Sequence, residues 1–212
     1  MLASGVLNGG VDLLLAWPLP GARSLGAQLV AAYAHPDRRY HDGRHLAEVL
    51  ERVHELSAQG VEFDRMAVLL AAWFHDSVYD AQPDAEKRSA AWAAEALPTL
   101  VDPAVVDEVV RLVLMTERHL PADGDANGCA LSDADLAILA APAERYAEYA
   151  ASVREEYAEV PDDAFAAGRA AILRDLLAKP HLFHTAYARS AWEDAARANV
   201  ERELAGLELT KG

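Results

Sequence analysis

The chain has 212 residues, of which 52% are hydrophobic and 25% charged, with a formal net charge of −15. Such a length and apolar content suit one large globular domain with a substantial core. The negative balance excludes a general binder of duplex nucleic acid, which needs clustered Lys and Arg, and argues against docking on an anionic membrane surface. A small anionic substrate stays open, because a local cation can reverse the field inside a cleft.

Cys129 is the single cysteine, so no internal disulfide forms and a reducing, cytoplasmic setting is expected. The first residues lack a basic leader before their short apolar run and are not read as a secretion signal. No uncharged stretch approaches the ~20 residues needed to span a bilayer. Residues 1–16 are expected as a flexible extension, 17–205 as one helical domain and 206–212 as a tail.

In chain order the pattern is helical almost throughout, rich in Ala and without runs of alternating β-branched residues. Leu25 to Tyr33 reads as a first helix. Gly43 to Ala58 is a second, with Leu46, Val49, Leu50, Val53 and Leu56 on one stripe. Asp64 is placed as the N-cap of Arg65 to His75, whose Met66, Leu69, Leu70, Trp73 and Phe74 are expected to face the core. "QPD" opens Ala85 to Ala96, and Asp102-Pro103 opens Ala104 to Glu117. "HLPADGDANGC" reads as the longest loop. After it come a short helix over Asp133 to Leu139 and longer ones over Ala143 to Tyr157, Asp162 to Ala178 and Ala188 to Leu204. The whole is an all-α single-domain bundle.

Three blocks carry chemistry-bearing residues. "RRYHDGRHL" places His41 and His45 four apart, with Asp42-Gly43 resembling a cap between them. "AAWFHDSVYD" sets His75 beside Asp76 at the end of an apolar helix, where neighbours can share an ion if the helix aims its end at it. "LSDADLAIL" adds Asp133 and Asp135. Imidazoles mixed with carboxylates suit Mn, Fe, Co, Ni or Mg better than a structural zinc built from thiolates.

The order of His45, then His75-Asp76, then a late Asp resembles the HD superfamily of metal-dependent phosphohydrolases. The three quoted blocks are similar, more narrowly, to a bacterial branch described as predicted HD-type metal-dependent phosphohydrolases. The similarity runs from about Trp17 to Leu204. It implies an all-α fold of the HD type with its site inside the bundle. The implied ligands are His45, His75, Asp76 and Asp135, with Asp133 as the rival for the last place and helix capping as its other role. The branch more often has Asn where Asp42 stands.

The implied chemistry is hydrolysis of a phosphate ester of a small molecule, such as a nucleotide, by water activated on a divalent cation. Asp76 would both ligate and orient that water. Growing charge on the phosphate calls for cations, and Arg39, Arg44, Lys87, Arg118 and Arg154 are candidates, Arg44 first because it adjoins His45. His41 and His119 are candidates for binding phosphate, moving a proton or holding a second metal. Tyr79, Arg154 and Tyr157 are candidate substrate contacts, although Tyr146, Tyr149, Val153 and Tyr157 form a stripe at helical spacing better read as core.

Glu86 and Ser89 read as surface pairing and capping. His181 and His184 read as structural, for want of a nearby acid or thiol. No HExxH, GxSxG or GxxxxGK[ST] pattern is present. A non-catalytic metal- or nucleotide-binding protein, and a helical interaction module in which these polar residues only cap helices, are the competing readings. Oligomeric state is open.

Overall fold

The structure is a computed structural model describing residues 13–80 and 84–209. Those residues form ten α-helices and two short 3-10 turns, with no strand among them. The helices are α1 (Arg23–Tyr33), α2 (Gly43–Ala58), α3 (Arg65–Phe74), α4 (Ala85–Ala96), α5 (Pro103–Met115), α6 (Ala126–Leu136), α7 (Ala143–Glu156), α8 (Asp162–Ala178), α9 (Ala186–Ala191) and α10 (Glu193–Leu209). No helix in the described residues is long and apolar enough to cross a membrane.

The α2 and α3 helices explain why the site forms where it does. Asp42 caps α2, its carboxylate accepting from the backbone N–H of Arg44 and His45 at 2.8 and 3.2 Å. The stripe Leu46, Val49, Leu50, Val53 and Leu56 is buried along its length. Asp64 caps α3 through the N–H groups of Met66 and Ala67 at 3.0 and 3.1 Å. Every residue from Ala67 to Phe74 is buried, because α3 runs through the middle of the bundle and touches α2, α4, α5 and α6. A helix apolar on all sides is stable only when surrounded. Met66, expected in the core, is instead 37% exposed: it lies in the first turn, before the chain enters the bundle.

The loop expected over "HLPADGDANGC" is shorter than the composition suggests. Asp125 accepts from Gly128 N–H at 2.9 Å and so starts α6 at Ala126, well before Asp133. Gly128 suits this cap, since a Cβ there would lie 2.2 Å from the Asp125 carboxylate. Burial on several sides removes the amphipathic period that would have marked α6 in the sequence. The expected helix Ala188 to Leu204 is two helices, α9 and α10, joined at the buried Trp192. Its second part runs on to Leu209, so residues 206–209 of the expected tail are helical, and 210–212 lie outside the described residues.

At the other end, Leu13 and Trp17 are both in the core. Trp17 donates to the Ala22 carbonyl at 3.1 Å and meets Trp73 edge-on at 5.1 Å between ring centres. Residues 1–12 of the expected extension lie outside the described residues, as do Gln82 and Pro83 of "QPD". Asp84 precedes α4 in a left-handed conformation, φ 64°, and its side chain does not cap the helix. Ser89, expected as a cap, is buried in α4, where its hydroxyl accepts from Val78 N–H at 3.0 Å and ties α4 to the turn after α3.

Candidate metal centre

Four side chains from three parts of the chain converge at the inner ends of α2, α3 and α6. His45 enters from the first turn of α2, while His75 and Asp76 follow the last turn of α3 and Asp135 comes from α6. His45 Nε2 lies 3.1 Å from His75 Nε2, 3.4 Å from Asp76 Oδ2 and 3.2 Å from Asp135 Oδ1. His75 Nε2 lies 3.1 Å from Asp76 Oδ2 and 3.6 Å from Asp135 Oδ1. His45 and His75 are buried, and Asp76 and Asp135 nearly so.

The donor set fits a divalent cation. The His75 Nδ1–H donates to the Ala72 carbonyl at 2.7 Å, which sets the ring and leaves Nε2 facing the cluster. Donor atoms about 2.1 Å from a common ion are about 3.0 Å apart in octahedral and about 3.4 Å apart in tetrahedral geometry. The five separations above fall around those values. His45, His75 and Asp76 form the tightest group, their ligand atoms mutually within 4.8 Å, and Asp135 approaches both histidines.

Electrostatics tie the group together. Burial opposes charge on His45, yet hydrogen bonds accepted from it by Asp135 and Asp76 outweigh it and push its pKa up to about 9. Burial likewise opposes charge on His75, and the Asp76 carboxylate raises it well above the usual imidazole range. Burial would raise both carboxylates, but His75 leads the groups that hold Asp76 and Asp135 well below the ordinary range. Imidazoles and carboxylates favour one another's charged forms, while His75 opposes charge on His45.

Asp133 does other work. It is fully buried, and its two carboxylate oxygens accept from the backbone N–H of His184 and Thr185, both at 2.7 Å, anchoring the start of α9. His119 reaches the edge of the cluster, with Nε2 3.6 Å from Asp135 Oδ2 and Nδ1 3.3 Å from Ser132 Oγ. Its backbone is left-handed at φ 51°, and burial lowers its pKa. Ring contacts link His41 to His45, Tyr40 and Tyr79, at 5.7, 4.8 and 4.0 Å between ring centres.

The cations nominated from sequence lie outside the cluster, and Arg39, Arg44, Lys87 and Arg154 are paired with acids. Arg44 sits on the rim of a cavity of about 310 Å³ that His45 and Asp135 also line, bound to Glu48 at 3.2 Å and Glu148 at 2.9 Å. Lys87 pairs with Asp84 on the surface. Arg39 meets Glu155, and Arg118 is exposed. Arg154 binds Asp162 at 2.7 Å and the carbonyls of Tyr157 and Val160, closing the turn between α7 and α8. With 34 acids against 19 bases, an exposed guanidinium readily finds a carboxylate.

Two residues that pattern reading did not single out support the centre. Glu156, only 2% exposed in its side chain, accepts from the backbone N–H of Arg39, Tyr40 and His41 at 3.1, 2.9 and 3.0 Å. Its other oxygen lies 2.6 Å from His41 Nδ1 and accepts from Tyr79 hydroxyl at 3.1 Å. Burial alone would raise Glu156; the His41 imidazole and these N–H groups bring it down to about 2. The signal available in sequence was an acid three residues beyond Val153 on an otherwise apolar stripe. Arg38 is the second. Its guanidinium donates to the carbonyls of His41 and Asp76, both at 2.7 Å, and of Ser77 at 3.1 Å, strapping the loop before α2 to the turn after α3.

No protein-family model, curated protein or solved structure matches this chain.

Proposed function

We propose that the chain is a metal-dependent phosphohydrolase of the HD type, acting on a small phosphorylated compound. The observation that supports this most is the convergence of His45, His75, Asp76 and Asp135 at hydrogen-bonding distances in a buried place. Two imidazoles and two carboxylates form a hard-to-intermediate donor set for Mn, Fe, Co, Ni or Mg. A divalent ion held there supplies Lewis acidity toward a phosphoryl oxygen and lowers the pKa of water.

The chain's own residues would do the rest. The Ala72 carbonyl keeps His75 oriented as a ligand. The second oxygen of Asp76 would orient an attacking water. His41, gripped at Nδ1 by Glu156, would use Nε2 to pass a proton to the leaving oxygen. Its ring is fixed between Tyr79 and Tyr40. His119 beside Asp135 offers a further contact for phosphate. Arg44 stands on the rim of the adjoining cavity.

The test is metal analysis of the purified chain after exposure to Mn, Mg, Co or Ni, followed by a panel of phosphate mono- and diesters. Metal uptake and turnover, both lost in His75→Ala and Asp76→Ala with helicity kept, are the expected outcome. Metal uptake without turnover on any ester would make it a binding protein, and no uptake would end the reading.

A further inference from the structure

A cleft of about 450 Å³ opens between α7 and α8, and its inner wall is His41. From α7 it receives Tyr149 and Val153, with Tyr157 just after the helix, and from α8 Phe165, Gly168 and Ile172. On α8 these last three fall at i, i+3 and i+7, one face of the helix. Both sides of the cleft are open: Ile172 on α8 is 55% exposed and Tyr157 after α7 is 42% exposed. Space is open at Gly168 too, where a Cβ would meet nothing within 4 Å.

The lining carries little unspent charge. Arg169 is its one guanidinium among the residues named, and that group is held by Glu203 at 2.8 Å and by Tyr149 hydroxyl at 3.0 Å. The cleft therefore favours a neutral, ring-bearing or branched apolar group over a sugar phosphate or a second anion. Continuity with the candidate centre comes through Tyr40 and His41. The Tyr40 ring lies 4.7 Å from that of His45 and 4.6 Å from that of Tyr149, so one ring touches both the ligand set and the cleft wall.

We propose that the cleft holds the apolar organic group of the phosphate ester. The leaving oxygen would lie at His41 and the carbon skeleton beyond it, between Tyr157 and Ile172. This rests on the phosphohydrolase reading, and it adds a substrate class: esters of apolar or aromatic alcohols. The volume matches such a group, since ligand sites of about 300–1,000 Å³ enclose most of a small organic molecule.

The experiment uses the full chain and two probes, 1-naphthyl phosphate against glycerol 3-phosphate, with Gly168→Trp and Tyr157→Ala. Gly168→Trp fills the cleft from an open helical position. Its ratio of kcat/KM for the naphthyl over the glycerol ester should fall about tenfold or more, the size of effect that apolar pocket contacts carry. Tyr157→Ala should lower the same ratio through KM.

Binding of 1-naphthol alone, followed calorimetrically, needs neither metal nor turnover. It should be lost in Gly168→Trp, and that loss in a chain without turnover would support the cleft site while the phosphohydrolase reading failed. Turnover with an unchanged ratio and unchanged naphthol binding would overturn the cleft proposal and leave the reading standing. A change from dimer to monomer in Gly168→Trp, with naphthol binding unchanged, would assign the cleft to a second copy and overturn it as well.

Discussion

The Nδ1 atom of His41 lies 2.6 Å from Oε2 of Glu156, a carboxylate 115 residues further along the chain. The same carboxylate gathers three consecutive backbone N–H groups, so one buried charge sets both the loop before α2 and the ring that loop carries.

That charge makes stability depend on pH. Glu156 falls from an ordinary 4.5 to about 2 in the folded chain. A depressed carboxylate stabilises the fold fully above its unfolded pKa and loses that contribution as pH drops toward its folded pKa. The window is therefore from about 4.5 down to about 2. Glu156→Gln should cost roughly 3 kcal/mol at pH 7, from the size of the shift. The gap to wild type should narrow as pH falls from 5 toward 2. Urea titrations of both proteins across that range check this, and a gap constant with pH would refute it.

Asp133 and Asp135, two residues apart, should separate cleanly. Asp133→Ala strands the N–H groups of His184 and Thr185 in the interior. A buried donor left unpaired costs about 1–3 kcal/mol. A loss of several kcal/mol with metal uptake per folded chain unchanged is expected. Asp135→Ala should do the reverse, weakening metal uptake with a smaller effect on the metal-free fold. Calorimetric metal titration beside thermal melts distinguishes the two.

Chelation should lower the melting temperature of the metal-loaded chain, because a ligand that binds only the folded state stabilises it by about 2.7 kcal/mol at 100 times its Kd. His75→Ala should melt at the same temperature with and without metal. A metal-dependent shift that survives in this variant would place the ion elsewhere.

Arg38 carries charge-assisted hydrogen bonds to three carbonyls on two loops. Arg38→Met should cost about 2–5 kcal/mol, since each such bond is worth about 1.5–3 kcal/mol and the carbonyls can partly rehydrate. Arg38→Lys should not restore the loss, because an ammonium lacks the planar fork. Faster hydrogen exchange is expected at Ser77 and Val78, after α3. Unchanged exchange there would remove the strap from the account.

Two helical glycines should respond in opposite directions. Gly168→Ala adds a methyl to open space and should stabilise by about 0.5–1 kcal/mol. Gly26→Ala puts a Cβ 2.8 Å from the Trp17 ring and should destabilise by about 1–3 kcal/mol, the usual cost of overpacking. Melting temperatures of the pair suffice as the check.

Much of the architecture was legible because helix signals are local. Caps such as Asp42 and Asp64 act on N–H groups two and three residues away, and the stripe from Leu46 to Leu56 repeats with the helical turn. Asp125 escaped notice because Gly and Asp around it mimic a loop, although its carboxylate starts α6. Trp192 broke an expected continuous helix for a reason outside local pattern: its ring is buried against Phe183 and Tyr187.

By itself the sequence determined the helical class, most helix bounds and the identity of the candidate donor residues, because propensity, capping and donor chemistry belong to short segments. Only the tertiary structure decided that Asp135 rather than Asp133 joins the two histidines, that Glu156 holds His41, and that Arg39, Arg44, Lys87 and Arg154 are paired with acids. Each of those depends on which distant side chain occupies a few ångströms of shared space, and that is fixed by how the helices pack.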